Sequence, residues 1–377
     1  MNSINLKEHP YFTGYTDPVS GVRSYILTEK PAPCIQNFYF VNSGMAENSK
    51  YFWFYCAYPP GAMHCLGVLG TDAEKPFVRC FPAAQFERES PWVSPDGREA
   101  FYTYKENMYK INIEGSIEVF ATLPEELVRG RTVFDMCTHI TRSADEKYFL
   151  LDVNVGNEWA ITLLDIKTRE FKTLCRFGGK HNHVQFSYTN PKEFIVDEDW
   201  WFDPITGQRF SYHHRIWLMD TEQSCYRPVE PEKWFEHNSL VTHDFWSKDG
   251  YVCWVDHKLG AFEYHPEARK IQNVWKRSLC HAHCNADRSL WCADESPYLW
   301  AEKPCKLLFY NRQTGREAEI YSAMPNATVS RGVYHSDPHP SFTPDGKFIA
   351  ATTTVRGEMD VSLTPVEQLV EMTKGDR

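Results

Sequence analysis

The sequence predicts an all-β fold, a seven-bladed β-propeller formed as one domain over residues 1–377. Three observations predict it: a motif that recurs seven times at blade-sized spacing, strand-forming residues on both sides of each copy, and no break in composition between copies. The copies read SPWVSPDGREAFYTY, THITRSADEKYFLLD, HVQFSYTNPKEFIVD, HDFWSKDGYVCWVD, HAHCNADRSLWCAD and HPSFTPDGKFIAAT, with a looser first copy, NSGMAENSKYFWFY. Their turn positions are Asn48, Asp96, Asp145, Thr189, Asp249, Asp287 and Asp345, separated by 48, 49, 44, 60, 38 and 58 residues.

Each copy pairs a polar turn with flanking β-branched or aromatic residues. Asp-Gly and its substitutes tolerate positive φ, so they close a tight turn between two strands. Further hairpins lie between copies, in AITLLDIKTREFKTL, RIWLMDTEQSCYRPV and KLLFYNRQTGREAEIY. Each copy therefore supplies about four strands, the content of one blade. The loose first copy leaves six or eight blades as the alternative. Helix is expected only in PEELVRG and at about 364–374, where Thr364 and Pro365 resemble an N-cap and N1 pair.

Composition narrows the function. Hydrophobic residues make up 42% and aromatics 15% of the chain, enough apolar surface to drive folding. No apolar run reaches the roughly 18 residues of a membrane span, and the start MNSINLKEHPYF lacks a secretory pattern. The net charge of −10 argues against nucleic acid as a partner, and an anionic substrate would need concentrated local positive charge. The 12 cysteines form no CxxC, so they are read as reduced thiols of a cytoplasmic protein. There is no GxSxG, P-loop or GxGxxG motif.

Six residues before each turn position stand Asn42, Ser90, His139, His183, His243, His281 and His339, so five of seven are histidine. In a propeller these positions lie on the innermost strands and form a ring at one mouth of the channel. A single strand histidine is ordinarily a hydrogen-bonded core or surface residue. A structural ring would more naturally use Asn, Ser or Thr, so the recurrence points to function. Clustered imidazoles bind a divalent metal or serve as acid and base near neutral pH. Strand alternation would place His281 and His283 on one face, and likewise His181 and His183. HSDPH adds His335, Asp337 and His339, a mixed nitrogen and oxygen set compatible with Mn, Fe, Zn or Ni. Arg215 is either a surface ion pair or a fixed cation for a carboxylate. Asp197, Glu198 and Asp199 form an acidic cluster beside Trp200 and Trp201, which either stack on sugars or pack between blades.

HVQFSYTNP, RIWLMD, HDFWSKDG and HPSFTPDGKF, with YTDPVSGVRSYILT and FYFVNSGM near the start, resemble the motifs of the oligogalacturonate lyases, seven-bladed cytoplasmic lyases of pectin breakdown. The resemblance runs in the same order over nearly the whole chain. It implies Mn(II), or another divalent ion, in the central pocket and cleavage by β-elimination. It implies His243 as the base and Arg215 as the cation at the substrate carboxylate. Metal ligation would fall to His281, with His283 competing, and to His339. The family's other ligand positions carry Asp337 and Tyr334 here, with His335 adjacent, and its CHEGPW-like segment reads VDEDWW. His139, His183, Gln185, Glu198 and Tyr334 are expected to meet the substrate. The expected partner is an acidic oligosaccharide, with no membrane and no nucleic acid, and the chain is expected to be a monomer or homodimer. A metal-dependent hydrolase, isomerase or epimerase on another sugar, or a non-catalytic scaffold, are the alternatives.

Overall fold

The computed structural model describes residues 4–87, 90–203, 205–212, 214–230, 240–295, 304–325 and 337–375. They form a seven-bladed β-propeller. Each blade is an antiparallel sheet, and its first strand lies nearest the axis. Blade 1 spans residues 34–86 and blade 2 residues 92–122. Blade 3 spans 133–177, and blade 4 spans 181–228 with a side hairpin, Trp201–Phe202 and Arg209–Phe210. Blade 5 covers 241–275 and blade 6 covers 279–324.

Blade 7 closes the ring from both ends of the chain. Strands Ser341–Phe342, Phe348–Thr353 and Asp360–Pro365 come from the C-terminal part, and Arg23–Leu27 and Phe12–Thr16 complete the sheet. Tyr25 pairs with Leu363 and Ile26 with Ser362. Opening the ring would therefore break a β-ladder whose two strands are separated by most of the sequence.

The core follows the same logic. Among the described residues it divides into seven apolar clusters, each joining one blade to the next. Phe101 and Phe120 of blade 2, for example, meet Phe149 of blade 3. A blade is apolar on both faces because it is covered by a neighbour on each side.

The repeated turn has a common construction. Ser94, Ser143, Ser247 and Thr343 donate to Asp96, Asp145, Asp249 and Asp345 over 2.6–2.8 Å. The next residue is left-handed in six copies: Ser49, Gly97, Glu146, Gly250, Arg288 and Gly346 have φ between 56° and 86°. That conformation explains the recurrence of Asp-Gly.

The helices are small. Glu125–Val128 is one turn. The C-terminal helix is Val366–Thr373, with Pro365 rather than Thr364 at the N-cap. Thr364 instead ends a strand, its hydroxyl 2.7 Å from that of Ser24.

Candidate active site

The channel histidines are aimed inward by backbone irregularity, not by regular strand alternation. In blade 4 the ladder shifts register between Asn182 and Gln185, and in blade 5 between Thr242 and Phe245. Blade 6 shifts between Leu279 and Ala282. His183, His243 and His339 have φ of 54°, 57° and 43°. A left-handed non-glycine residue in a strand is unfavourable, and its repetition at equivalent positions marks a site where side-chain direction matters.

The bulges also separate histidines that alternation would have kept together. His281 faces the axis, where its ring lies 4.1 Å from that of His243 and 4.4 Å from that of His339. His283 lies between blades, stacked on Phe245, and its Nδ1 accepts the Phe342 N–H at 3.1 Å. Likewise His181 stacks on Phe177, whereas His183 meets His139 with ring centres 5.1 Å apart.

Residues 37–45 of blade 1 run across the axis. Tyr39 contacts rings from four other blades: it stacks on His139 at 5.0 Å and meets His339, His281 and His243 at 4.9–6.4 Å. The Asn42 amide donates to the carbonyls of Ser90, Pro91 and Ile140. On the turn side of this segment lies a cavity of about 210 Å³, lined in part by Val41, Asn42, Trp92 and Gln185. Tyr39 thus fills the centre of the histidine ring, and the ring does not surround a continuous channel.

His281, Asp337 and His339 form a compact donor set, one ligand atom of each lying within 4.8 Å of the others. Asp294 organises it. Its carboxylate accepts the His281 main-chain N–H at 2.6 Å and lies 2.9 Å from Nδ1. Nδ1 is thereby committed, and Nε2 is the atom offered to the pocket. This carboxylate–imidazole arrangement is the usual second shell of a metal-binding histidine. Two imidazoles and a carboxylate suit a divalent cation of the first transition row. Among the described residues, His243, Cys280 and His281 form a second compact group.

His243 is held from the other side. The Tyr39 hydroxyl lies 2.9 Å from its Nδ1, which leaves Nε2 facing Cys280 and His281. Burial, then the charges of His281, His257 and Arg215, keep its pKa well below the ordinary imidazole value. His183 is lowered in the same way, and burial pushes His139 down to about 3. Among the described residues, neither nitrogen of His139 has a hydrogen-bond partner, nor does Nδ1 of His183.

Arg215 is buried and already paired. Its Nε lies 2.7 Å from Asp197 and its Nη1 3.3 Å from Asp199, which Lys180 also contacts at 2.8 Å. A buried guanidinium needs such partners, because desolvation of an unpaired charge is prohibitive. The guanidinium expected from the sequence to meet a substrate carboxylate is thus held in a network with Asp197, Asp199 and Lys180. Asp197 and Asp199 reach it because they alternate on one face. Glu198 points the other way, beside His181, and its backbone N–H bonds the Arg215 carbonyl. Gln185 is also engaged, donating to the backbone and carboxylate of Asp244 at 2.9 and 3.2 Å. Tyr334 and His335 lie outside the described residues. Cys280, Tyr39 and Asp294 carry no motif signal.

No family model matches the chain. In sequence it is 25% identical over 239 residues to the oligogalacturonate lyase of Dickeya dadantii strain 3937, a match covering 55% of each chain, so the chain spans about half the length of this curated relative. In structure it is similar to an oligogalacturonate lyase in complex with manganese, with a TM-score of 0.74 and 18% identity over 94% of this chain and 96% of that one. An oligogalacturonate lyase from Vibrio parahaemolyticus gives a TM-score of 0.75 and 18% identity over 95% and 97%. The chain therefore resembles the oligogalacturonate lyases as a divergent relative, in fold over nearly its whole length and in sequence over about half of it.

Proposed function

We propose that the protein is a metal-assisted lyase that cleaves uronate-containing, oligogalacturonate-like oligosaccharides by β-elimination. The observation that carries this reading is the position of His243, an uncharged imidazole with its ring 4.1 Å from that of His281 in the His281/Asp337/His339 donor set. Those three residues would hold the cation, Mn(II) by analogy with the manganese-bound neighbour. When bound, the cation supplies positive charge against the enolate-like charge that grows on the substrate carboxylate.

The chain's own residues supply the proton transfer. Tyr39 fixes the His243 ring through Nδ1, so Nε2 accepts the proton from the carbon next to the carboxylate. The bonding pair left behind forms the double bond as the glycosidic C–O bond breaks, and the departing oxygen takes a proton from water. His139 and His183, whose ring nitrogens named above have no partner among the described residues, would receive sugar hydroxyls. Arg215, shared between two aspartates, acts at longer range on the pocket's electrostatics. In this proposal the substrate is an acidic pectin fragment met in the cytoplasm.

The pairing of Arg215 favours one second reading. With that cation internally neutralised, the pocket suits a less anionic sugar, and the same base and donor set would serve an isomerase or epimerase. Incubation with oligogalacturonate, with and without chelator, separates the two. Lyase action gives a chelator-sensitive rise in ultraviolet absorbance from the unsaturated product. Turnover without that rise, or none on any uronate oligomer, overturns the lyase reading. His243→Ala should abolish turnover while Mn(II) content is kept.

A further inference from the structure

Cys280 has no role in the proposed elimination, yet its Sγ lies 3.8 Å from His243 Nε2 and 4.0 Å from His281 Nε2. One ligand atom from each of the three residues lies within 4.8 Å of the other two. In a tetrahedral site with metal–sulfur bonds of about 2.3 Å and metal–nitrogen bonds of about 2.0–2.1 Å, adjacent donors stand roughly 3.5 Å apart. The two sulfur–nitrogen distances therefore need to close by only a few tenths of an ångström.

Their far sides are already fastened. Nδ1 of His243 is engaged by the Tyr39 hydroxyl and Nδ1 of His281 by Asp294. Both Nε2 atoms lie on the side away from those anchors and within 4.0 Å of the sulfur, and the anchors are the kind of partner that metal-binding imidazoles have.

We propose that His243, Cys280 and His281 form a second cation position, selective for thiophilic divalent ions such as Zn(II), Co(II) or Cd(II). Binding converts the Cys280 thiol to a metal-bound thiolate and releases its proton to solvent. His281 Nε2 has one lone pair and belongs to both donor sets, so the two positions are filled alternately and never together. A hard ion such as Mn(II) takes the Asp337 side, and a soft one the Cys280 side. A thiophilic ion there also occupies Nε2 of His243. If the lyase reading holds, such an ion inhibits by removing the base. That consequence alone rests on the proposed function.

The test is a Co(II) titration of the full-length protein after chelation, kept reduced, following the near-ultraviolet thiolate-to-cobalt band and circular dichroism. The band should saturate at one equivalent. It should disappear in both Cys280→Ser and Cys280→Ala, survive in Asp337→Asn, and shrink when excess Mn(II) is added. Cys65→Ser serves as a control at a separate thiol cluster, where Cys65 lies 3.5 Å from Cys80, and should leave the band unchanged. Cobalt bound without a charge-transfer band, or a band of undiminished size in folded Cys280 variants, overturns the proposal. The lyase assay fails independently. A Cys280-dependent band with no unsaturated product refutes only the lyase reading, and turnover with Mn(II) but no such band refutes only the thiophilic position.

Discussion

The two arcs of the histidine ring occupy equivalent places in the repeat, but they are built differently. On the blade 5–7 arc, His281 and His243 each have a partner on Nδ1, and His339 is anchored through its main chain. Asp294 grips His281, Tyr39 holds His243, the Asn37 amide bonds the His339 carbonyl, and Asp337 adds an oxygen donor. On the blade 3–4 arc, His139 and His183 face each other with no carboxylate among the described residues bearing on either, and the cations that bear on His183 are Arg215 and Lys180. The difference teaches that ring position selects histidine, while the group behind the far nitrogen decides whether that histidine suits a cation or a neutral polar ligand.

Exchanging ring members should give the largest effect. His281→Ala removes the atom common to both donor sets and should weaken Mn(II) binding by more than about 100-fold, beyond the loss usual for a supporting residue. His139→Ala should leave Mn(II) affinity within about threefold, a change too small for a lost ligand. Isothermal titration of both variants checks this, and equal losses would erase the distinction between the arcs. Asp294→Asn comes next. It keeps the shape but loses the charge behind His281, and Mn(II) affinity should drop by roughly 10–100-fold. An unchanged affinity would show that Asp294 serves only the main-chain N–H of His281.

The contrast between arcs was partly visible in the sequence. The turn repeat was legible because Ser or Thr, Asp and a left-handed residue recur as adjacent letters. Ring membership followed from the constant offset to that turn. Local bulges were not legible, because a register shift depends on the partner strand. His281 and His283 therefore looked equivalent, although one enters the pocket and the other packs against Phe245. Tyr39 was hidden because blade 1 leaves the repeat pattern after Cys34–Gln36 and crosses the axis. Asp294 sits 13 residues from His281, on the paired strand, a spacing that carries no motif. The Arg215 network was half legible: the aspartates stood out as a cluster, but their claim on the guanidinium needed the fold.

Tyr39 joins the arcs, stacking on His139 and hydrogen-bonding His243. Tyr39→Phe keeps the stack and removes the bond. One neutral hydrogen bond is worth about 1 kcal/mol, so turnover should fall about fivefold, with Mn(II) affinity unchanged. A loss of Mn(II) binding instead would place the phenol in the cation's support.

The last effect is a pH-dependent stability difference at His139. Folding lowers the His139 pKa from 6.5 to about 3, so between those values the unfolded chain binds the extra proton. Stability from this residue is then complete above about pH 6.5 and declines as pH falls toward 3. Buried Asp152 and Glu230 work in the opposite sense. Folding raises them to about 7, so their contribution is present below the ordinary carboxylate range and is lost as pH rises through 7. The wild-type profile between pH 4.5 and 7 thus sums opposing slopes and does not isolate the histidine. A difference between wild type and His139→Gln does, because the carboxyl terms cancel. Relative to wild type, the variant should gain stability as pH falls from 7.5 to 4.5, by up to a few kcal/mol at about 1.4 kcal/mol per pKa unit. Urea midpoints at the two pH values measure it. A difference that stays constant would mean that His139 keeps its proton on folding, and that this arc is held by charge after all.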